Sequence, residues 1–453
     1  VSPLQARLAE AVPAAELSTD ADIIRAHARD QAGLCDAGAA VALVRARSVD
    51  TVIATLRVAT ATRTPVVTRG AGTGLSGGAN ASEGCILLAL HRLDRILELD
   101  PAQGIARVEP GVLNGALDAR AREHGLVYAP DPASRDISSI GGNVATNAGG
   151  ACCLKYGVTG DHVVALEAVL ADGTRIHAGA GTRKNVAGLD LKRLLIGSEG
   201  TLAVIVGVTV RLLPQPQPAG TLIAFFGDLE RAGQAIVALQ ARQNLSRLEV
   251  MNQATVAAVE AMTHMELDTS AAAMIIAQAD SPDSEAILAE AERLCEAHDA
   301  AMVATTLDEH EGRMFMQARS AALPALEQQG HCLLDDVAVP IPKIPDLLAL
   351  CAAAAERHGV TIATFGHGGD GNLHPTIVYD GQDSASVGRA RQAFDDIVAG
   401  ALALGGSITG EHGVGTLKRA YLTAMAGERE VALMRGIKGV FDPMGILNPG
   451  KGY

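Results

Sequence analysis

Apolar residues in this chain recur in two ways: as dense runs of four to eight positions and as longer stripes at helical spacing, alternating almost from end to end. The first half reads as short strands divided by glycine-rich turns: AVALVRA (40–46), TPVVTRG (64–70), CILLAL (85–90), IARVEPG (105–111), VVALEAVLADGTRIHA (163–178) and TLAVIVGVTVRLLP (201–214). At PQPQPAG (214–220) prolines alternate with polar residues, the composition of a boundary between lobes. Beyond it strands and helices alternate. TLIAFF (221–226) leads into a helical stretch at 228–243, and AAAMIIAQA (271–279) into one at 282–298. Ser281 is placed to cap that second helix and Pro282 fits its first turn, with Ile287, Ala291, Leu294 and His298 sharing a face. Further helices are expected at 342–358 and 386–404, flanking the strand TIATFGHG (361–368), and the end, FDPMGILNPGKGY, reads as loop. Such layering implies an α/β or α+β protein.

Composition narrows the classes of function. At 453 residues the chain exceeds one ordinary core, so two lobes are expected. A formal net charge of −14 argues against a nucleic-acid surface, and the absence of tryptophan leaves little for base stacking. No apolar run reaches the ~20 residues of a membrane span, and the opening VSPLQARLAEAV shows no secretory pattern. The seven cysteines form no C-x-x-C, so reduced thiols in a cytoplasmic protein are expected rather than a cluster or a disulfide framework.

Three glycine-rich segments carry candidate chemistry. In RGAGTGLSGGA (69–79), Gly72, Gly74 and Gly77 match G-x-G-x-x-G, with Asp94 following. That fingerprint needs a helix opening at the glycines to seat a pyrophosphate. Here the next element is the strand CILLAL, so a nicotinamide-binding reading fails, while a backbone nest for a diphosphate survives. The other two segments are PDPASRDISSIGGNVATNAGG (130–150) and IGSEGTLAVI (196–205). Near the end, TFGHGGDGNLHPTI (364–377) sets His367 and His374 around a glycine turn with Asp370, and GSITGEHGVG (406–415) offers Glu411 beside His412. Two imidazoles and a carboxylate suit Zn²⁺, Mn²⁺ or Fe²⁺ with open positions left. Taken singly, each of these residues is more often packed or solvated than a ligand.

In order, RGAGTGLSGGA, PDPASRDISSIGGNVATNAGG, GSEGTLAVI, GHGGDGNLHP, GEHGVG and NPGK resemble the motifs of FAD-dependent D-2-hydroxy acid dehydrogenases. That group holds D-lactate dehydrogenases, the flavin subunit of glycolate oxidase and D-2-hydroxyglutarate dehydrogenase. The resemblance implies an α+β, two-lobed FAD-binding fold of the vanillyl-alcohol-oxidase type with an α/β substrate (cap) domain. The implied division is residues 1–213 for FAD, 214–415 for substrate and metal, and 416–453 returning to the FAD domain. It implies cofactor contacts from Arg69, Gly70, Ala71, Gly72, Thr73, Gly74, Gly77 and Gly78. Pro130, Ser134, Ser138, Gly141, Gly142, Asn143 and Thr146 would line the diphosphate and the ring, and Glu199, Gly200 and Ile205 the adenosine side, with Asn448 from the NPGK motif. Thr73 stands where flavin-linking relatives carry histidine, so the FAD is expected to be non-covalent.

The resemblance further implies a divalent metal, zinc or manganese, on His367, His374 and Glu411, with His412 as catalytic base and Arg319 gripping the substrate carboxylate. Leu323, Leu334 and Thr376 replace the threonine, lysine and asparagine of the 2-hydroxyglutarate branch, which favours D-lactate or a larger apolar monocarboxylic acid. D-2-hydroxyglutarate or glycolate oxidation is the alternative within the family, and a metal-dependent hydrolase or a binding protein the alternative outside it. Without a cysteine cluster, the electron acceptor is expected to be a quinone, a cytochrome or an electron-transfer flavoprotein. A homodimer, cytoplasmic or peripheral to a membrane, is the expected assembly.

Overall fold

The computed structural model describes residues 2–182, 184–242 and 244–453. They form two compact units. The first holds the chain up to Gly149 together with Gly157–Gln215 and Glu411–Tyr453, the second Gly150–Tyr156 and Pro216–Gly410. The first crossing falls in the proline-rich segment, beside the expected 213/214 boundary. The second falls earlier than the expected 415/416 boundary, because the Glu199 carboxylate accepts the N–H groups of Val414 (2.8 Å) and Gly415 (2.7 Å) and ties Glu411–Gly415 to the first unit. The short insertion Gly150–Tyr156 joins the second unit, where Lys155 and Tyr156 both bond Asp280 at 2.5 and 2.6 Å.

The first unit holds strands β1 (Leu17–Ser18), β2 (Ala42–Arg45), β3 (Val66–Arg69), β4 (Ile86–Ala89), β5 (Ile96–Asp100), β6 (Ile105–Val108), β7 (Leu126–Val127), β8 (Val163–Val169), β9 (Arg175–Gly179), β10 (Val204–Arg211) and β11 (Leu213–Pro214). One sheet runs β1-β2-β4-β3, with β2 and β3 each parallel to β4, and an antiparallel sheet runs β5-β6-β10-β8-β9. Between β2 and β3 runs the helix Val49–Thr62. Ser48 caps it by accepting the Thr51 N–H, and it ends on Arg63 at φ 51°. Its buried Val52, Leu56 and Ala59, at helical spacing, pack with Val44, Val66, Ile86 and Leu88. No helix lies between β3 and β4, whose connection is the glycine loop itself, as the rejection of a nicotinamide fingerprint required.

The second unit is built on β12 (Gly220–Phe226), β13 (Arg247–Asn252), β14 (Ala273–Ala279), β15 (Ala300–Thr306), β16 (His331–Leu334), β17 (Val337–Ala338), β18 (Thr361–His367) and β19 (Asn372–Tyr379). They form one sheet in the order β15-β12-β14-β13-β18-β19-β16, with β17 also on β19. Cross-strand register aligns Phe225, Met274, Met251 and Phe365 in one row. That face packs on helices Gln253–Thr263, Glu309–Ser320 and Ala322–Glu327 through Val256, Val259, Ala318, Ala322 and Leu326. Helices Leu229–Arg242, Ile344–His358 and Ser384–Ala403 flank the sheet as well.

Some expectations shift. The helix expected at 282–298 spans Ser284–Ala297 and buries Ser284, Leu288, Ala291, Leu294 and Cys295. Its face is thus turned by one position from Ile287, and His298 is its C-cap. The cause is Ser284, whose hydroxyl donates to the Ala279 carbonyl at 2.9 Å and closes the turn before the helix starts; no side chain caps that end. Gln243, the expected last residue of the preceding helix, lies outside the described residues. No described helix is long and apolar enough to cross a membrane.

The turn between β18 and β19 makes a prediction. Gly371 sits at φ +73° and a Cβ there would lie 2.2 Å from the Val339 carbonyl oxygen, whereas Gly359, at φ +59°, has nothing within 4 Å of its Cβ position. Gly359→Ala should cost only the ~1–2 kcal/mol of a left-handed backbone. Gly371→Ala should cost visibly more in denaturant unfolding; equal losses would mean that the turn yields.

Candidate functional site

The spacing of the two histidines is explained by a hairpin. His367 ends β18 and pairs with Asn372, while His374 pairs with Phe365, so both side chains emerge on the same face of adjacent strands. The turn between them is a single 3₁₀ segment, Gly368–Asp370, closed by Gly371. The rings meet edge to face with centroids 5.2 Å apart, and both residues are buried.

One strand over, Glu249 on β13 stands in register with His367. Its Oε1 lies 2.7 Å from His367 Nδ1, and its Oε2 accepts the Arg319 Nε–H at 2.7 Å. The Arg319 guanidinium lies over the Phe365 ring, 4.8 Å from its centroid. Burial pushes the Glu249 carboxyl up, but its contacts with the His367 ring and the Arg319 guanidinium outweigh that and hold it below the usual range. On the other side Asp336, fully buried, accepts from Asn372 Nδ2 (2.7 Å), Thr409 Oγ1 (2.7 Å) and the Gly410 N–H (2.9 Å). Its Oδ1 is 3.6 Å from His374 Nδ1, beyond a normal hydrogen bond. Leu323 and Leu334 pack against the apolar cluster of this same face, and Thr376, opposite Leu334, donates to the His374 carbonyl at 3.2 Å.

All the residues expected to hold the cofactor lie in the first unit. The Arg69 guanidinium donates to the His27 and Arg29 carbonyls at 2.8 and 2.9 Å and props the glycine loop. A Cβ on Gly72, at φ +79°, would fall 1.9 Å from an Arg69 nitrogen, so the loop's course depends on that glycine. Asn448 donates to the Gly78 carbonyl (2.9 Å) and the Glu199 carbonyl (2.7 Å), while its own N–H reaches Val66. One side chain from the C-terminal segment thereby fastens two of the glycine-rich segments. Glu411 and His412 are also in this unit, 3.7 Å apart at Oε1 and Nε2, and Glu411 packs so closely on Gly149 that a Cβ there would be 2.5 Å from its carboxylate.

Comparison with known proteins decides the identity. Residues 215–452 match the C-terminal domain of FAD linked oxidases, and residues 40–179 an FAD binding domain. The chain belongs to the FAD-linked oxidase family. Glycolate oxidase subunit GlcD of Bacillus subtilis (strain 168) is 39% identical over 90% of this chain and 88% of its own length. D-lactate dehydrogenase of Archaeoglobus fulgidus is 36% identical over 90% of each. Among solved structures, p-cresol methylhydroxylase with substrate bound aligns at a TM-score of 0.83 and 16% identity, covering 99% of this chain and 96% of that one. A 4-ethylphenol oxidase from Gulosibacter chungangensis aligns at 0.80 and 18% identity, with the same coverage. At such identities these structures show the fold alone, the α+β fold of the vanillyl-alcohol-oxidase type.

As an FAD-linked oxidoreductase of the family holding GlcD and D-lactate dehydrogenase, the chain should need a polar cradle for FAD, and the first unit offers one. Ser138 Oγ, Asn143 Nδ2 and Asn448 Oδ1 are buried without a hydrogen-bond partner among the described residues. Orphaned polar atoms are costly in a finished fold, and a dinucleotide with its many donors and acceptors satisfies them. For a divalent cation, the second unit supplies two buried imidazoles, one held at Nδ1 by a carboxylate, a donor set that fits such an ion. Sequence reasoning missed Glu249 and Asp336. Each is an acidic residue inside an apolar strand run, LEVM and LLDDVAV, and that anomaly was the available signal.

Lys451 of the NPGK motif is 4% exposed and donates to the Asn80 carbonyl. Burial pushes its ammonium down to about 8 in spite of Cys85, Asp30 and Glu199, whose charges oppose the shift. Below that pH the amine is charged in both folded and unfolded chains and the fold carries the burial cost. Between there and the unfolded value the unfolded chain binds the extra proton, so stability rises with pH, by up to ~3 kcal/mol. Unfolding of FAD-free protein at pH 7 and pH 9.5 should show this gain relative to Lys451→Met. A pH-independent difference between the two proteins contradicts it.

Proposed function

We propose that this chain oxidises a D-2-hydroxy acid with a small or apolar side chain, D-lactate first, to the 2-oxo acid. The observation that carries the reading is the buried His367–His374 pair on the same sheet face as Arg319, with Glu249 bonded to both His367 and Arg319. The first unit would hold FAD without a covalent bond, and that FAD would supply the hydride acceptor for C2 of the substrate. His367, His374 and Glu411 would hold a divalent cation, zinc or manganese, whose charge would lower the pKa of the substrate hydroxyl. Arg319 pairs with the substrate carboxylate through its two terminal nitrogens, its Nε being engaged by Glu249. His412 accepts the hydroxyl proton, a task suited to an imidazole.

Leu323 and Leu334, packed in the apolar cluster, support an uncharged substrate tail. The distal carboxylate of D-2-hydroxyglutarate would be left without a partner there, at a cost of several kcal/mol if buried. Glycolate, carried in the name of the Bacillus subtilis relative, has no tail and is the second reading.

Anaerobic mixing of the flavin-loaded protein with D-lactate should bleach the flavin, faster than L-lactate or D-2-hydroxyglutarate does, and EDTA should slow it. His412→Ala should slow flavin reduction by ~10²–10⁴-fold with flavin content unchanged. Faster bleaching by D-2-hydroxyglutarate would sink the substrate choice, and unaltered reduction in the variant would sink the base. Ser138→Ala separates cofactor from scaffold. Removing an orphaned hydroxyl should leave FAD-free stability equal or higher while weakening FAD by about tenfold, ~1.4 kcal/mol; loss of FAD-free stability instead would show that Ser138 serves the fold.

A further inference from the structure

We propose that Glu249 is the positioning residue of this centre, one carboxylate that sets both the metal-binding nitrogen of His367 and the aim of Arg319. The inference rests on the proposed function only for what the two side chains bind. Glu249 is 1% exposed on a strand whose neighbours in the same row and on the same face, Met251, Ile276 and Phe365, are apolar. A carboxylate at such a place is costly, and a hydrophobic residue of similar volume would serve packing alone at least as well.

The two oxygens are divided between two partners. Oε1 faces His367 Nδ1 and Oε2 takes the Arg319 Nε–H, both at 2.7 Å. A carboxylate only accepts, so the proton stands on Nδ1 and the lone pair of His367 is on Nε2, the form that ligates a metal. A guanidinium held at Nε and laid over the Phe365 ring presents its two terminal nitrogens as a fork. Glutamine at 249 retains one acceptor oxygen and turns an NH₂ toward the other N–H, so one of the two partners must turn away. Had Glu249 served only to neutralise Arg319, His367 would not need to touch it.

The test is a competition of Zn²⁺ between a chelator and the flavin-loaded protein, a measurement that needs no turnover. Glu249→Gln should weaken Zn²⁺ by 10–100-fold with flavin content unchanged, and should raise KM for D-lactate by a larger factor than it lowers kcat. Glu249→Asp, which keeps the charge, should restore part of the Zn²⁺ affinity. Arg319→Met, which leaves the Glu249–His367 bond, should keep Zn²⁺ affinity within about threefold of wild type. Wild-type Zn²⁺ affinity in Glu249→Gln, or equal losses in Glu249→Gln and Arg319→Met, overturns the proposal. Should Glu249→Gln fail to accumulate, Glu249→Asp decides alone: affinity between wild type and a tenfold loss supports the proposal, and a larger loss overturns it. If no 2-hydroxy acid is turned over by the wild type, the proposed function falls while the Zn²⁺ comparison still judges Glu249.

Discussion

Oε1 and Oε2 of Glu249, each 2.7 Å from a nitrogen of a different side chain, set what the second unit can do. A buried carboxylate is tolerable only if both oxygens are satisfied, and a buried guanidinium only if it is paired. His367, Glu249 and Arg319 meet those conditions together or not at all. Strand geometry makes the meeting possible. With a period of two, β13, β18 and β19 put Glu249, His367 and His374 on the face that elsewhere carries Met251, Phe365 and Ala363. The polar centre is the continuation of a hydrophobic layer, and the apolar remainder of that layer is where Leu323 and Leu334 pack.

The first unit works by a different constraint. Its glycine loop is shaped from beneath by Arg69, whose guanidinium leaves no room for a side chain at Gly72. It is secured from the far end of the chain by Asn448 and Lys451. Backbone amides spread along such a loop form an anion site without a helix. This arrangement also accounts for the cost stored there. Lys451 is buried among Asp30, Glu199 and Cys85, and three polar atoms from Ser138, Asn143 and Asn448 have no hydrogen-bond partner among the described residues. A scaffold optimised for stability alone would not retain these; one that must receive a polar dinucleotide has reason to.

Most strands of the first unit could be read from apolar runs because each is short, dense and bounded by glycine or proline. The glycine segments were legible for the same reason, since few physical demands besides close backbone approach concentrate so many glycines. The helix at 284–297 buries Ala291 and Leu294 as expected but Leu288 in place of Ile287; Ser284 closes the turn with its own hydroxyl, a bond that apolar spacing does not encode. For Glu249 and Asp336 the acid inside an apolar run was legible but its partners were not, for a deeper reason. Their partners are far away in the chain: Glu249 meets Arg319 and His367, and Asp336 meets Asn372, Thr409 and Gly410. Only the register of the sheet brings them together. Residues 411–415 group with the first unit because the Glu199 carboxylate, from a segment read as cofactor-lining, captures the backbone at Val414 and Gly415, a contact no linear pattern announces.

Charge raises a last question, because a chain of net charge −14 is an unpromising receptor for an anionic substrate. At physiological ionic strength the Debye length is ~8 Å, so the bulk of that charge is screened before it reaches a buried centre. What an entering carboxylate meets is local. The Arg319–Glu249 pair is neutral as a pair, which by itself gives the anion little attraction beyond directed hydrogen bonds. The proposed divalent cation on His367 and His374 would reverse the sign of that balance. On that proposal Arg319 would orient the carboxylate while the cation supplied the attraction, and an apolar tail beside Leu323 and Leu334 would add no charge to be compensated. The proposed preference for a monoanionic acid rests on the same accounting: a second carboxylate would need a second positive group, and Leu323 and Leu334 offer none.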